Sequence, residues 1–301
     1  MNETGLEVSQ DPTVRRALSA AERARRSATL PVAEIRPARG LFDLQLDDLW
    51  RYRELLVVLV MRDVQVLYRQ ALLGAAWAIL QPVVAVVIFS VVFGMFIRIP
   101  SDGVPYPLFA FAAVLPWTYF AEAMRRGSSG LVTDAELIRK VYFPRLVMPL
   151  ASVIAPLLDF FIALGVFLIL MLGYGYYPTV NFFAIVPFIL LAASLALAMG
   201  LWLGPINVQF RDVKHTLPFI LQVWMYASPI IYPLSVVPEK WKWLYSLNPM
   251  VGVIEGFRWA LLGIGNPDFG VMALSAVLIM ALLVSGLVFF KRMERTFADL
   301  V

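Results

Sequence analysis

The chain has no cysteine and a single histidine, His215, in 301 residues. Disulfide scaffolds, thiolate metal sites, iron–sulfur clusters and cysteine nucleophiles are therefore excluded, as are a multi-histidine zinc site and an HExxH protease. No Gly-Lys dipeptide occurs, which removes the Walker A phosphate loop and ATP hydrolysis by that route. Charge is also scarce: Asp, Glu, Lys and Arg make up 15% of the chain against 60% hydrophobic residues, and the mean hydropathy is +0.77. Soluble domains are nearer about 25% charged, and a soluble core this apolar would leave too few charges to coat its surface. The uncharged runs Ala71–Ile97, Gly103–Ala121 and Phe160–Phe210 instead approach or exceed the roughly 20 residues a helix needs to cross the hydrocarbon layer. The expected fold is an all-α polytopic membrane protein.

Residues 1–40 are rich in Arg, Ala, Ser, Glu and Pro without a sustained apolar period, and read as a disordered tail. The tail has no apolar h-region and is too acidic for an Arg-rich targeting peptide. Residues 41–71 differ. Leu46, Leu49, Trp50, Val57, Val60, Val64 and Leu67 recur at three- and four-residue steps. The uncharged centre, Leu55–Met61, is too short to span, so an amphipathic helix lying in the headgroup plane is expected. Residues 72–290 divide into six expected spans: Leu72–Ile97, Pro107–Met124, Leu146–Leu172, Phe182–Gly204, Thr216–Leu234 and Phe269–Phe290. The Gly-, Pro- and Asn-bearing turn Gly173–Asn181 separates the third from the fourth. Tyr174, Tyr176 and Tyr177 there suit an interfacial aromatic belt.

Lys and Arg orient these spans. The N-terminal segment, the second and fourth loops and the C-terminus at 291–301 hold 21 of the 25, leaving four for the other side, so both termini are expected in the cytoplasm. Met250–Ile264 is apolar enough to suggest a seventh span, but it contains Glu255 and Arg258, and seven spans would put Lys291 and Arg292 outside. Two short re-entrant outer-leaflet helices within about 238–266, at Glu239–Ser246 and Pro249–Leu262, fit better.

Several residues have chemistry to offer. Asp134 and Glu136 near the start of a short helix at about 130–143, with Arg139 and Lys140 near its end, complement the helix dipole. It reads either as a snorkelling loop helix or as a lever that takes force from a soluble partner. Asp159 is the one acidic residue deep inside an expected span and must face protein or water; without a second deep carboxylate a structural or channel role is favoured over a proton relay. Glu255 and Arg258, three apart, suit a local ion pair. Gly200–Gly204 and Gly252–Gly256 have small-xxx-small spacing.

Taken in order, Arg62-Asp-Val-Gln-Val-Leu-Tyr-Arg-Gln-Ala-Leu-Leu-Gly-Ala-Ala-Trp77 with Gln81-Pro82, Leu137–Arg145, Gln209-Phe-Arg-Asp-Val213 and Asn248–Trp259 resemble the type-2 ABC exporter permeases for bacterial surface polysaccharides. The resemblance covers roughly Leu46–Arg292 and leaves the tail outside. It implies a homodimer of six-span halves in the inner membrane, each docked on a separate ATPase subunit. This chain would then be no enzyme and bind no cofactor or metal, with ATP and Mg on the partner, and it would take no nucleic acid. The cargo it implies is an undecaprenyl-pyrophosphate-linked glycan.

On that resemblance, Leu137, Ile138, Val141, Tyr142 and Phe143 would fill an apolar groove on the ATPase. Arg139, Lys140 and Arg145 would pair with its carboxylates, with Arg211 and Asp212 as a second contact. Arg51, Arg53, Arg62 and Arg69 would hold the pyrophosphate at uptake, or else touch anionic lipid. Trp117, Tyr119 and Phe120, with Trp224 and Tyr226, would line a glycan channel, because aromatic faces stack on the apolar faces of sugar rings; the alternative is belt or packing residues. Asn248, Pro249, Glu255 and Arg258 would belong to an external gate. Export of a drug or lipid by the same kind of permease is the nearest rival. An intramembrane transferase lacks its carboxylate pair or His base, and a proton-coupled carrier lacks deep ionisable groups.

Overall fold

Proline and glycine decide where the long apolar stretches break. In a computed structural model the described residues are 46–69, 76–141, 143–210, 212–263 and 268–294. The N-terminal tail, Tyr142, Arg211 and the chain after Glu294 lie outside them, as do the side chains of 46–48 and 67–69, Arg69 included. All regular structure among the described residues is helical.

Helices α1 (Leu46–Arg51) and α2 (Arg53–Arg69) are joined at Tyr52, whose carbonyl accepts from the Leu56 N–H at 3.0 Å. Their inward side is Leu49, Tyr52, Leu55, Leu56, Leu59 and Val60. Of the expected stripe, Leu49 and Val60 lie on this inward side, while Trp50 and Val57 are 71% and 60% exposed and face away from the protein. Trp50 lies beside Arg53, with the guanidinium 5.2 Å from the ring. The segment is apolar around most of its circumference, so spacing alone does not choose a face. Packing on α6 (Val147–Ile154) does.

Helix α3 (Ala76–Phe89) continues as a π-helical turn, Ser90–Phe96. The Ile97 N–H reaches back five residues to the Val92 carbonyl at 3.0 Å, the spacing of a π turn. Helix α4 (Tyr106–Thr133) starts between Pro105 and Pro107, where no N–H donor is needed. Every residue from Leu108 to Leu115 is buried. It is the axis of the fold, packing against α3, α6, α7 (Leu157–Gly173), α8 (Ile185–Gln209), α9 (Val213–Tyr226) and α11 (Pro249–Leu262). Where α4 crosses α8, a Cβ on Gly200 would lie 3.3 Å from the Gly127 Cα, so glycine spares the two backbones from moving apart by a few tenths of an ångström. The remaining helices are α5 (Ala135–Lys140), α10 (Glu239–Ser246) and α12 (Phe269–Glu294).

Two expected spans differ in form. Pro156 divides the third into α6 and α7. The fifth is helical only to Tyr226, 14 residues or about 21 Å, because Pro229 and Pro233 turn the chain. Four described stretches are long and apolar enough to cross a membrane: Ala76–Phe96, Val147–Gly173, Val180–Gln209 and Phe269–Glu294. Helix α4 is long enough but carries Glu122, Arg125 and Arg126.

The apolar side chains form two main clusters. The larger joins α4, α7, α8, α11 and α12. The smaller gathers Leu59, Leu131, Phe143, Val147, Leu201 and Phe290, and so ties α2 and the α5 region to the ends of α4, α8 and α12.

Candidate functional site

A cavity of about 660 Å³ opens between α3, α4, α7 and α9. Its wall is aromatic (Trp77, Phe89, Trp117, Tyr119 and Phe160), with Gln81 and Thr118 as neutral polar groups and Asp159 as an acid. Tyr119 keeps its hydroxyl satisfied by donating to the Val153 carbonyl at 3.1 Å, so the ring is held in place against the space. Successive turns of α4 carry this wall from Val114 to Arg125 and Arg126, which gives the cavity one charged end. There Glu122 accepts from Arg125 Nε and Nη2 at 2.8 and 2.7 Å and from Arg126 Nε at 2.6 Å.

The five expected channel aromatics separate. Trp117 and Tyr119 line the cavity. Phe120 is fully buried, in an edge-on cluster with Trp117 and Trp224 whose ring centroids lie 5.1 to 6.3 Å apart. Trp224 is half-buried and donates its indole N–H to Asn248 Oδ1 at 2.9 Å. Tyr226 is half-exposed and lies outside the lining.

The α4–α5 junction forms a second functional region. Leu137 and Ile138 pack inward on the smaller core together with Phe143, while Arg139, Lys140 and Val141 are exposed. Lys140 pairs with Glu136 at 2.8 Å. Arg145 donates to the Glu294 carbonyl, joining this region to the end of α12. Arg62 reaches across from α2 to clasp Asp134 at 2.9 and 2.7 Å, and also holds Asp63 at 2.8 Å. The Asp134 hydrogen bonds hold the Arg62 guanidinium charged, raising it above its ordinary value. The four arginines expected at the pyrophosphate therefore differ: Arg62 is committed to carboxylates, and Arg53 to the Trp50 carbonyl and ring.

A third region surrounds α10 and α11. Asn248 caps α11 by accepting from the Met250 N–H at 3.0 Å, and its amide donates to the Ala227 carbonyl and Ser228 Oγ at 3.2 and 3.0 Å. With the Trp224 bond, one side chain ties the end of α9 to the start of α11, where Pro249 fills the first turn. Arg258, 4% exposed, bonds Glu255 at 2.9 Å and the Ile230 carbonyl at 3.0 Å, and sits 3.6 Å over the Phe109 ring. The Tyr106 hydroxyl donates to the neighbouring Ile231 carbonyl at 2.7 Å. A buried guanidinium is tolerable only when paired and hydrogen-bonded in this way.

Sequence reasoning passed over Glu122, Arg125, Arg126, Asp134, Tyr106 and Phe109 as partners. Spacing of three and four residues between opposite charges signalled the first three. Nothing local signalled Tyr106, whose partner is 125 residues away.

The ABC-2 type transporter family model matches residues 54–262, from α2 to the end of α11. The chain belongs to the ABC-2 transporter family. The matched region takes in the interface segment, the α5 junction, the aromatic cavity and the helix pair α10–α11, and this ABC-2 chain is accordingly a membrane transport subunit. It is 32% identical over 251 residues to an O-antigen export system permease protein, RfbA, of Myxococcus xanthus, covering 82% of this chain and 95% of the relative. An RfbA of Klebsiella pneumoniae is 25% identical over 249 residues, covering 82% and 95%. The polysialic acid transport protein KpsM of Escherichia coli is 28% identical over 210 residues, covering 68% and 80%.

Proposed function

We propose that this chain is the membrane subunit of an ATP-driven exporter of lipid-linked polysaccharide, of the O-antigen kind, in a bacterial inner membrane. The observation that carries the cargo is the end-to-end likeness to an O-antigen export permease, 95% of whose length is matched. The aromatic cavity supports it, because rings such as Trp77, Trp117 and Tyr119 stack on sugars without demanding one hydrogen-bond pattern. A single methionine, Met225, lines the cavity among the described residues, whereas surfaces that take many unrelated apolar partners over-use that pliable side chain.

In this reading α4, and α9 together with the non-helical chain that follows it to Leu234, complete six spans, α10 and α11 dip into the outer leaflet, and both termini are cytoplasmic. Two copies face one another around the exported chain. A separate ATPase, which binds ATP and Mg, docks on the exposed side of α5 through Arg139, Lys140 and Val141, with Asp212 as a second contact. Leu137 and Ile138 join α5 to the smaller core, and Arg62–Asp134 joins it to α2, so ATPase closure would move these elements as a unit. Arg51 and Arg53 would meet anionic headgroups beside the uptake route. Asp159 would be a polar group of the cavity wall.

Co-purification with a Walker-motif ATPase tests this function, together with deletion of each gene. The expected result is one stable complex and loss of surface polysaccharide in both deletions. Polysaccharide that still reached the surface of cells lacking this chain would overturn it.

A further inference from the structure

Two cavities meet at Arg125 and Arg126. The aromatic cavity ends on them, and a second cavity of about 560 Å³, between α2, α4 and α6, is walled by the same two side chains together with Arg62, Ser129 and Asp134. Among the described residues no other lines both. Anything passing from the groove beside the interface helix into the aromatic space moves past this pair.

The donors of the pair are only partly used. Glu122 takes Nε and Nη2 of Arg125 and Nε of Arg126. Arg125 Nη1 and both terminal nitrogens of Arg126 make no hydrogen bond among the described residues. Arg62, by contrast, uses all three of its nitrogens on Asp63 and Asp134. Those two carboxylates outnumber Arg62 on the far wall, so excess positive charge does not define the site. Geometry does: Glu122 fixes two guanidinium forks side by side and leaves their other edges free. A phosphate or pyrophosphate presents several oxygens that accept from both forks at once, the strong and directional form of this interaction.

We propose that Arg125 and Arg126 bind the phosphate or pyrophosphate that joins lipid to glycan, as the cargo passes from the groove beside α2 into the aromatic cavity. Glu122 is a positioning residue that turns the free edges of both arginines toward that path. The inference rests on the cargo reading above and deepens it. It assigns the phosphate to α4 rather than to the interface-helix arginine already held by Asp134.

The test uses the whole complex with its ATPase, in nanodiscs of phosphatidylcholine and phosphatidylethanolamine. Phenylglyoxal modification of Arg125 and Arg126 in the wild-type protein is read by mass spectrometry. Polyprenyl pyrophosphate is expected to protect both residues, while the neutral polyprenol and phosphatidylglycerol do not. Arg125→Gln and Arg126→Gln should each weaken polyprenyl pyrophosphate binding about tenfold, with polyprenol binding unmoved, and Arg126→Lys should recover part of the loss.

Equal protection by polyprenol would show a site shaped for the chain alone. Equal protection by phosphatidylglycerol would show a general lipid-phosphate site. Either result overturns the assignment, and so does unchanged affinity in both variants. The wild-type measurement stands even where a variant fails to assemble. Failure of the two readings is separable: glycan export that persists in the double variant sinks this site alone. A complex that binds polyprenyl pyrophosphate yet exports no glycan sinks the cargo reading alone.

Discussion

Helices α3 and α11 invert the rule that governs soluble proteins. The stretch Ala76–Phe96 is uncharged and strongly apolar, yet of its residues only Pro82 and Val86 are buried within the chain. Val84, Val87, Ile88, Val91, Met95 and Phe96 all face outward. Helix α11 holds a carboxylate, a guanidinium and two glycines, yet it is enclosed along nearly its whole length. A soluble chain hides its most apolar helix because water surrounds it. Lipid is as apolar as leucine, so here the apolar helix can stay outside and the inside goes to residues that need protein partners. Gly252 and Gly256 are small enough to admit Ser275 and Phe188 against the helix, and Arg258 finds its partners in Glu255, Ile230 and Phe109.

This contrast sets an order of sensitivity. Arg258→Ala should have the largest effect, because it leaves the half-buried Glu255 without its cation and the Ile230 carbonyl without this donor. The expected loss is about 3–5 kcal/mol, read as the temperature at which purified protein leaves the monodisperse peak. Gly256→Val should follow at about 1–3 kcal/mol, since any Cβ there stands inside the Phe188 ring. A melting curve that matched wild type would mean that α8 and α11 are less tightly apposed.

Asn248→Ala removes an N-cap and strands the Trp224 indole, for about 1–2 kcal/mol. Combined with Trp224→Phe the loss should be less than additive, because both substitutions break one bond; simple additivity would show that the two act separately. Val87→Leu on the outer face of α3 should change stability by less than about 0.5 kcal/mol. A much larger change would place that face against a second copy of the chain and break the contrast between the helices.

The sequence was most legible where local chemistry marks a boundary. Pro238 opens α10, the Asn248-Pro249 pair opens α11, and Gly263, at φ 65°, closes α11. These are start and stop signals that need no tertiary context. The end of α9 was harder, because Pro229 and Pro233 interrupt a run that Ile230 and Ile231 keep apolar. Faces were hardest. The leucines and valines around α2 satisfy several stripes equally, and only packing on α6 turns Leu55, Leu56 and Leu59 toward protein and leaves Val57 outside. Among the candidate site residues, Glu122 with Arg125 and Arg126 was readable from spacing, whereas Arg62–Asp134 joins residues 72 apart and left no local trace.

By itself the sequence determined that the chain is helical and built for a membrane, because length, apolarity and scarcity of charge are properties of single segments. Tertiary structure alone decided which apolar faces meet protein, which arginines keep free donors and where the aromatic cavity lies. Side chains that face lipid and side chains that face protein have the same chemistry, so only the packing of distant segments tells them apart.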